Sequence, residues 1–248
     1  MSKLLLIALG FAALCPAQPS KGIIHVRPRL PITEPSPYID SYQLTHAWRF
    51  DEKSGETLGD NVGAANGVLG GPRWVTQGLD FVAANTDRVE FANFVNPGTV
   101  GAFSLMAVAN VVDAAGAQTI FSQTGSAGRS WMYLDSSEEL KSMLGGIVTG
   151  HGRTALRGWH TFLLTYDGRG ALKMCVDCSC TSAPRTPEAS AGNHFLGASE
   201  TLTGPFDEKM AYLLFYTREL TTSGRRNDCQ RNHLALGAIL MTRGVRLP

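Results

Sequence analysis

The segment GWHTFLLTYDGRGALKMCVD, residues 158–177, constrains the fold more than any other stretch of the chain. Thr161 to Tyr166 is rich in strand-forming residues, Asp167-Gly168 supplies turn chemistry, and Leu172 to Val176 alternates again, so a β-hairpin is expected here. The same pattern recurs along the chain. Ala47 to Glu52, Trp74-Val75, Leu79 to Phe81, Arg88 to Phe91, Thr119 to Gln123 and His194 to Leu196 all read as strands. Trp131 to Leu134 and Leu140 to Leu144 read as a hairpin around Asp135 to Glu139, and Gly125 to Gly128 as a turn. Leu58 to Gly71 and Cys178 to Ala191 read as loops. Arg225 to Met241 has apolar residues at 234, 236, 239 and 240, a closing amphipathic helix for which Thr221 or Thr222 is the expected cap. A chain of 248 residues is long enough for one large all-β domain with a full core.

The first residues have the form of a secretory signal. Lys3 precedes an apolar run from Leu4 to Leu14, too short to span a bilayer, and Cys15-Pro16-Ala17 offers cleavage after Ala17. A lipidated Cys15 is the rival reading, which Leu14 before it and Pro16 after it fit poorly. The expected location is secreted or cell-surface, the periplasm included. Residues 18–43 carry Pro19, Pro28, Pro31, Pro35 and Pro37 and read as an extended arm or linker. Losing residues 1–17 removes Lys3 alone, which leaves basic and acidic residues equal in number. Nothing global then pulls the protein toward nucleic acid, and Arg225-Arg226, Arg243 and Arg246 read as solvated positions.

Cleavage also leaves four cysteines, Cys175, Cys178, Cys180 and Cys229. An even number in an exported chain permits two disulfides in three pairings. One bond from the hairpin to Cys229 would tie the C-terminal helix to the sheet. Three clustered thiolates with one distant ligand would be the metal alternative, at an unusual spacing.

Several of these motifs carry a family resemblance. Residues 158–177 are similar to GWHHVALTYDG…LRLYVDG, and WRFDEKSGETLGDNVG…PRWV…LDFVAANTDRVEF resembles the opening WxFDEGSG…D…G…W…LxFDG…DYVxV of laminin-G-like domains. Phe103 to Val112 matches the strand FTVSAWV, and FDEKMAYLLFYTREL resembles the closing F…IAELLIYNRAL. The resemblance covers about residues 44 to 245. It implies an all-β, two-sheet antiparallel jelly-roll sandwich of the concanavalin A-like type with a short C-terminal helix, over a domain of residues 44–248. It also implies structural positions for Trp48, Trp74 and Trp159, and a strand-edge structural role for His160.

Chemistry is less marked. Glycoside hydrolysis needs paired carboxylates on one face, and Asp51-Glu52, Glu138-Glu139 and Asp207-Glu208 are adjacent pairs that a strand would point to opposite faces. There is no Gly-x-Ser-x-Gly. The resemblance implies calcium as a candidate cofactor, yet Ala211 and Tyr212 stand at its usual acidic positions, leaving Asp51, Asp60, Asp80, Asp87 and Asp167 as oxygen ligands or turn residues. Trp131 and Tyr133 lie two apart and should share a face with Asp135, either as a sugar-stacking surface or as a core face. His151, in Thr149 to Gly152, is the histidine with a candidate functional role. The expected function is a non-catalytic module binding carbohydrate or an extracellular protein surface. The alternatives are a self-associating assembly subunit and a hydrolase with unfamiliar carboxylate placement.

Overall fold

The computed structural model describes residues 39–112, 116–125, 130–144, 149–151, 157–199, 204–224 and 227–248. The expected signal segment, residues 18–38 of the arm, Arg225-Arg226 and most of the turn at 125–128 lie outside the described residues.

In chain order the strands are β1 (Leu44–Trp48), β2 (Thr57–Leu58), β3 (Gly67–Gly70), β4 (Arg73–Val75), β5 (Gly78–Phe81), β6 (Arg88–Phe91), β7 (Phe103–Val111) and β8 (Gln118–Gln123). They continue as β9 (Ser130–Leu134), β10 (Leu140–Ser142), β11 (Thr149–Gly150), β12 (Gly158–Tyr166), β13 (Ala171–Val176), β14 (Ser179–Pro184), β15 (His194–Leu196) and β16 (Glu208–Tyr216), and helix α1 (Asp228–Met241) follows. They form a two-sheet antiparallel β-sandwich. The first sheet runs β14-β13-β12-β7-β16-β5-β4, with β1 also on β16; the second runs β11-β10-β9-β8-β15-β6-β3-β2.

Alternation explains both layers of packing. Phe103, Leu105, Ala107, Ala109 and Val111 of β7 point between the sheets, as do Phe162 and Leu164 of β12. Met106 and Val108 point the other way, joining Leu163, Tyr212, Leu214 and Tyr216 in a second cluster closed by Cys229, Leu236 and Leu240 of α1. Both faces of the central strands are therefore covered, which is why β7 reads as a nearly unbroken apolar run.

Several details depart from the sequence expectation. The helix is capped by Asn227, whose side chain accepts the Gln230 N–H, rather than by a threonine; Thr221 Oγ1 instead accepts the Asp228 N–H. Its inward face includes polar Asn232 and His233, which are satisfied by the Tyr216 hydroxyl and by Thr161 Oγ1, while Leu234 is exposed. Residues 179–184, expected as loop, form edge strand β14, polar because it is exposed along nearly its whole length. The β13–β14 turn places Asp177 and Cys178 at φ 47° and 64°, the left-handed pair a two-residue hairpin requires. Residues 57–58 and 67–70 pair as β2 and β3 inside the expected loop. The domain also begins before Leu44: Ile39 packs on the helix-side cluster and the Asp40 N–H donates to Asn232 Oδ1 at 2.9 Å.

The cysteines pair as Cys175–Cys180, directly across the β13–β14 ladder, and Cys178–Cys229, joining the hairpin turn to the first turn of α1. The second bond makes the expected link between helix and sheet.

Candidate binding cleft

The site starts from a split in the first sheet. Strand β16 changes partner along one edge: Glu208 to Met210 pair with β5, whereas Leu213 to Tyr216 pair with β1. The register on its other side, against β7, shifts between Met210 and Tyr212. Where β1 ends, residues 49–53 turn away, and an open cleft of about 760 Å³ is lined by Phe50, Asp51, Lys53, Trp74, Val75, Thr76, Thr242 and Arg243.

Each wall has a local cause. Trp74 lies on the three-residue edge strand β4 and packs partly against the inter-sheet core; its Nε1 donates to the Gly55 carbonyl at 2.7 Å, which fixes the ring. Arg243, just past α1, donates to the carbonyls of Arg49 and Phe50 at 2.8 and 3.4 Å and to Asp51 Oδ2 at 3.1 Å. Its guanidinium also stands 5.9 Å from the centre of the Tyr212 ring, so the segment after the helix pins the 49–53 turn. Burial raises the Tyr212 pKa above the ordinary value, against the opposing pull of Arg49 and Arg243. Phe50 and Lys53 both adopt left-handed backbone, at φ 52° and 65°. A fixed indole between hydroxyl and charged groups is equipped to stack on a pyranose ring and to hydrogen-bond its substituents.

Of the residues expected to bind, Tyr133 and Asp135 lie together beside Lys141, while Trp131 and His151 lie apart from them, and none lines this cleft. Trp131 and Tyr133 do not share a face. Phe121 of β8 pairs with Met132, and the register shifts on either side of that pair, so a bulge sends Trp131 inward. Its ring is fully buried, 5.4 Å from Phe103 and 5.5 Å from Phe121 between centres. Tyr133 sits on the outer face opposite Thr119 and Lys141; burial raises its pKa, Lys141 opposes this, and Asp135 and Glu139 add to it. Asp135 caps its own turn, accepting the Ser137 and Glu139 N–H groups and pairing with Lys141 at 2.5 Å. His151 is buried and bridges the sheet edges, Nε2 bonding the Ser179 carbonyl at 2.7 Å while its own carbonyl accepts from Thr181. His160 pairs with Asp177 at 2.7 Å beside the same hairpin.

The candidate calcium carboxylates are taken up largely by donors within the chain. Asp60 accepts N–H groups from Ala47, Val62, Gly63 and Ala65 and pairs with His46; burial would raise its pKa, but these donors hold it below the ordinary value. Asp167 accepts the Arg169 and Ala171 N–H groups, Asp51 faces Arg243, Asp80 faces Lys209, and Asp87 accepts the Val82 N–H. Among the described residues no three histidine, cysteine, aspartate or glutamate side chains converge as a metal site.

The structural position that the resemblance implies for Trp74 holds in part: the ring packs partly against the inter-sheet core and borders the cleft as well. Pro72 immediately before its strand is the overlooked signal, because proline at a strand start marks a sheet edge, where an aromatic ring borders solvent.

No protein-family model and no curated protein sequence matches the chain. Solved structures do. Trypanosoma rangeli sialidase is 15% identical with a TM-score of 0.59, the match covering 85% of this chain and 36% of that one. The same enzyme in complex with sialic acid gives 14% and 0.60, covering 80% and 34%. The binding domain of botulinum neurotoxin serotype D gives 12% and 0.58, covering 80% and 52%. The chain thus spans between a third and about half of the length of these proteins. At such identities the likeness establishes a shared β-sandwich fold.

Proposed function

We propose that the protein is an extracellular, non-catalytic binding module of the laminin-G-like, concanavalin A-like class, and that it holds carbohydrate in the cleft at the sheet split. The observation that carries this reading is the fixed Trp74 indole beside Asp51, Lys53, Thr76, Thr242 and Arg243. The neighbours are in keeping with it: one is a sialidase solved with sialic acid, another the binding domain of a toxin. Two disulfides belong to an oxidising compartment, which supports the extracellular location. The non-catalytic part rests on the acids. Among the described residues Asp51 is the carboxylate that lines the cleft, and it is engaged by Arg243, whereas glycoside hydrolysis generally needs two carboxyl groups roughly 5–10 Å apart.

The test is a glycan and polysaccharide panel, with calcium and again with chelator. Trp74→Ala should weaken binding roughly tenfold or more, and Tyr133→Ala, on the far sheet, should leave it unchanged. Loss in Tyr133→Ala with retention in Trp74→Ala would move the site to the β9–β10 hairpin. One observation favours an assembly role instead: β14 is an exposed edge strand that, among the described residues, pairs with β13 alone, a template for pairing with another chain beyond the part held by His151. Sedimentation showing a stable oligomer that dissociates on proline substitution in β14 would support that second reading.

A further inference from the structure

We infer that the cleft selects acidic saccharides, and that Lys53 is the residue that sets this preference. The inference rests on the carbohydrate reading of the cleft and goes beyond it in naming the ligand class.

Of the two cations lining the cleft, Arg243 is spent on Asp51 and on the carbonyls of Arg49 and Phe50. That pairing also neutralises Asp51, the carboxylate among the described residues of the lining. Lys53 is exposed, and among the described residues no carboxylate lies within ion-pairing distance of it. Among the described residues that line the cleft, Lys53 therefore carries the uncompensated charge, on the turn pinned by Arg243.

The backbone gives an independent argument. Lys53 sits at φ 65°, where a β-carbon is strained and glycine meets no steric penalty. Phe50, at φ 52° in the same turn, is buried and contributes its ring to the core. Lys53 has no such compensation in the fold. The fold alone favours glycine at position 53, and a lysine in this strained conformation is consistent with a role for its ammonium. A sugar ring stacked on Trp74 with a carboxylate or sulfate substituent directed at the 53 position would satisfy both groups.

The test titrates the full exported chain with a galacturonate hexasaccharide, its carboxyl-reduced neutral counterpart and a sulfated galactan hexasaccharide. At least one acidic ligand should bind roughly tenfold tighter than the neutral one, less so at high salt, and the two acidic arms distinguish carboxylate from sulfate ester. Lys53→Met should lower acidic binding toward the neutral level, a loss several-fold larger than any loss of neutral binding. Lys53→Gly should do the same and raise the thermal midpoint, which separates lost binding from lost folding. Equal loss of acidic and neutral binding in Lys53→Met, or no loss of either, overturns the inference. Neutral and acidic sugars bound equally well, but lost together in Trp74→Ala, keep the cleft reading and overturn this one. Binding untouched by Trp74→Ala overturns the cleft reading and this inference with it.

Discussion

His194 is fully buried, its ring 4.2 Å from Phe94 and 5.5 Å from Phe121 between centres. Burial lowers its pKa to about 3, with the neighbouring His46 acting in the same direction. The unfolded chain takes up this proton near the ordinary value of about 6.5. Between those two values the unfolded state binds more protons, so stability is present above about pH 6.5 and is lost as pH falls toward 3. At pH 5 the loss from this one residue is about 2 kcal/mol. His194→Phe keeps the aromatic stack and removes the titration. The difference between urea midpoints at pH 7 and pH 5 should therefore be smaller in the variant than in the parent, and equal differences would mean that His194 is not the acid-sensitive group. Residue-scale burial of this kind was not legible in the sequence, because a histidine between a turn and Phe195 reads the same whether it faces the core or solvent.

At the scale of elements, what was legible and what was not divide along one physical line. Strands marked by continuous runs of strand-forming apolar residues, such as β7, β12 and β16, fall where those runs put them, because both of their faces are covered. The errors occur where a neighbouring element overrides local preference. The bulge at Trp131 is set by pairing with β8, and β14 exists because its hairpin is closed by Asp177-Cys178 rather than by a glycine. The disulfides follow the same logic. Cys178–Cys229 spans 51 residues and Cys175–Cys180 spans 5, so chain entropy assigns the first about 4 kcal/mol and the second about 2. Replacing both cysteines of the longer bond by alanine should lower the unfolding free energy more than replacing both of the shorter. The reverse order, measured by urea titration, would mean that the hairpin rather than the helix attachment limits stability. Asn227→Ala should cost about 1 kcal/mol in the same assay, through loss of the helix cap.

At the scale of the whole molecule, the cleft and the chain entry both depend on pairings that no local pattern announces. The split of β16 between β5 and β1 brings residues 49–53, 74–76 and 242–243 to one place. Arg218 plays the corresponding part at the start of the domain. Its Nη1 meets Asp228 Oδ2 of α1 at 2.6 Å, its Nη2 meets Asp40 Oδ2 at 2.8 Å, and its Nε donates to the Tyr42 carbonyl at 3.0 Å. The guanidinium also lies 5.6 Å from the centre of the Tyr216 ring on β16. Helix, sheet and chain entry are thus held by one side chain. Burial would raise the Asp228 pKa, but Arg218, the Thr221 N–H and Arg231 hold it below the ordinary carboxylate value. Its contribution is accordingly present above about pH 4 and lost as the pH falls below that. Arg218→Met keeps much of the packing and leaves Asp228 with Arg231 as its remaining cation, so a cost of about 2–4 kcal/mol at pH 7 is expected. The cost should shrink on acidification as Asp228 takes up its proton. Limited proteolysis should at the same time open a new cleavage near residues 39–43, which no longer have the guanidinium to dock on. A variant whose midpoint moves by less than about 0.5 kcal/mol, with these residues still protected, would show that apolar burial of Ile39 alone anchors the entry of the chain.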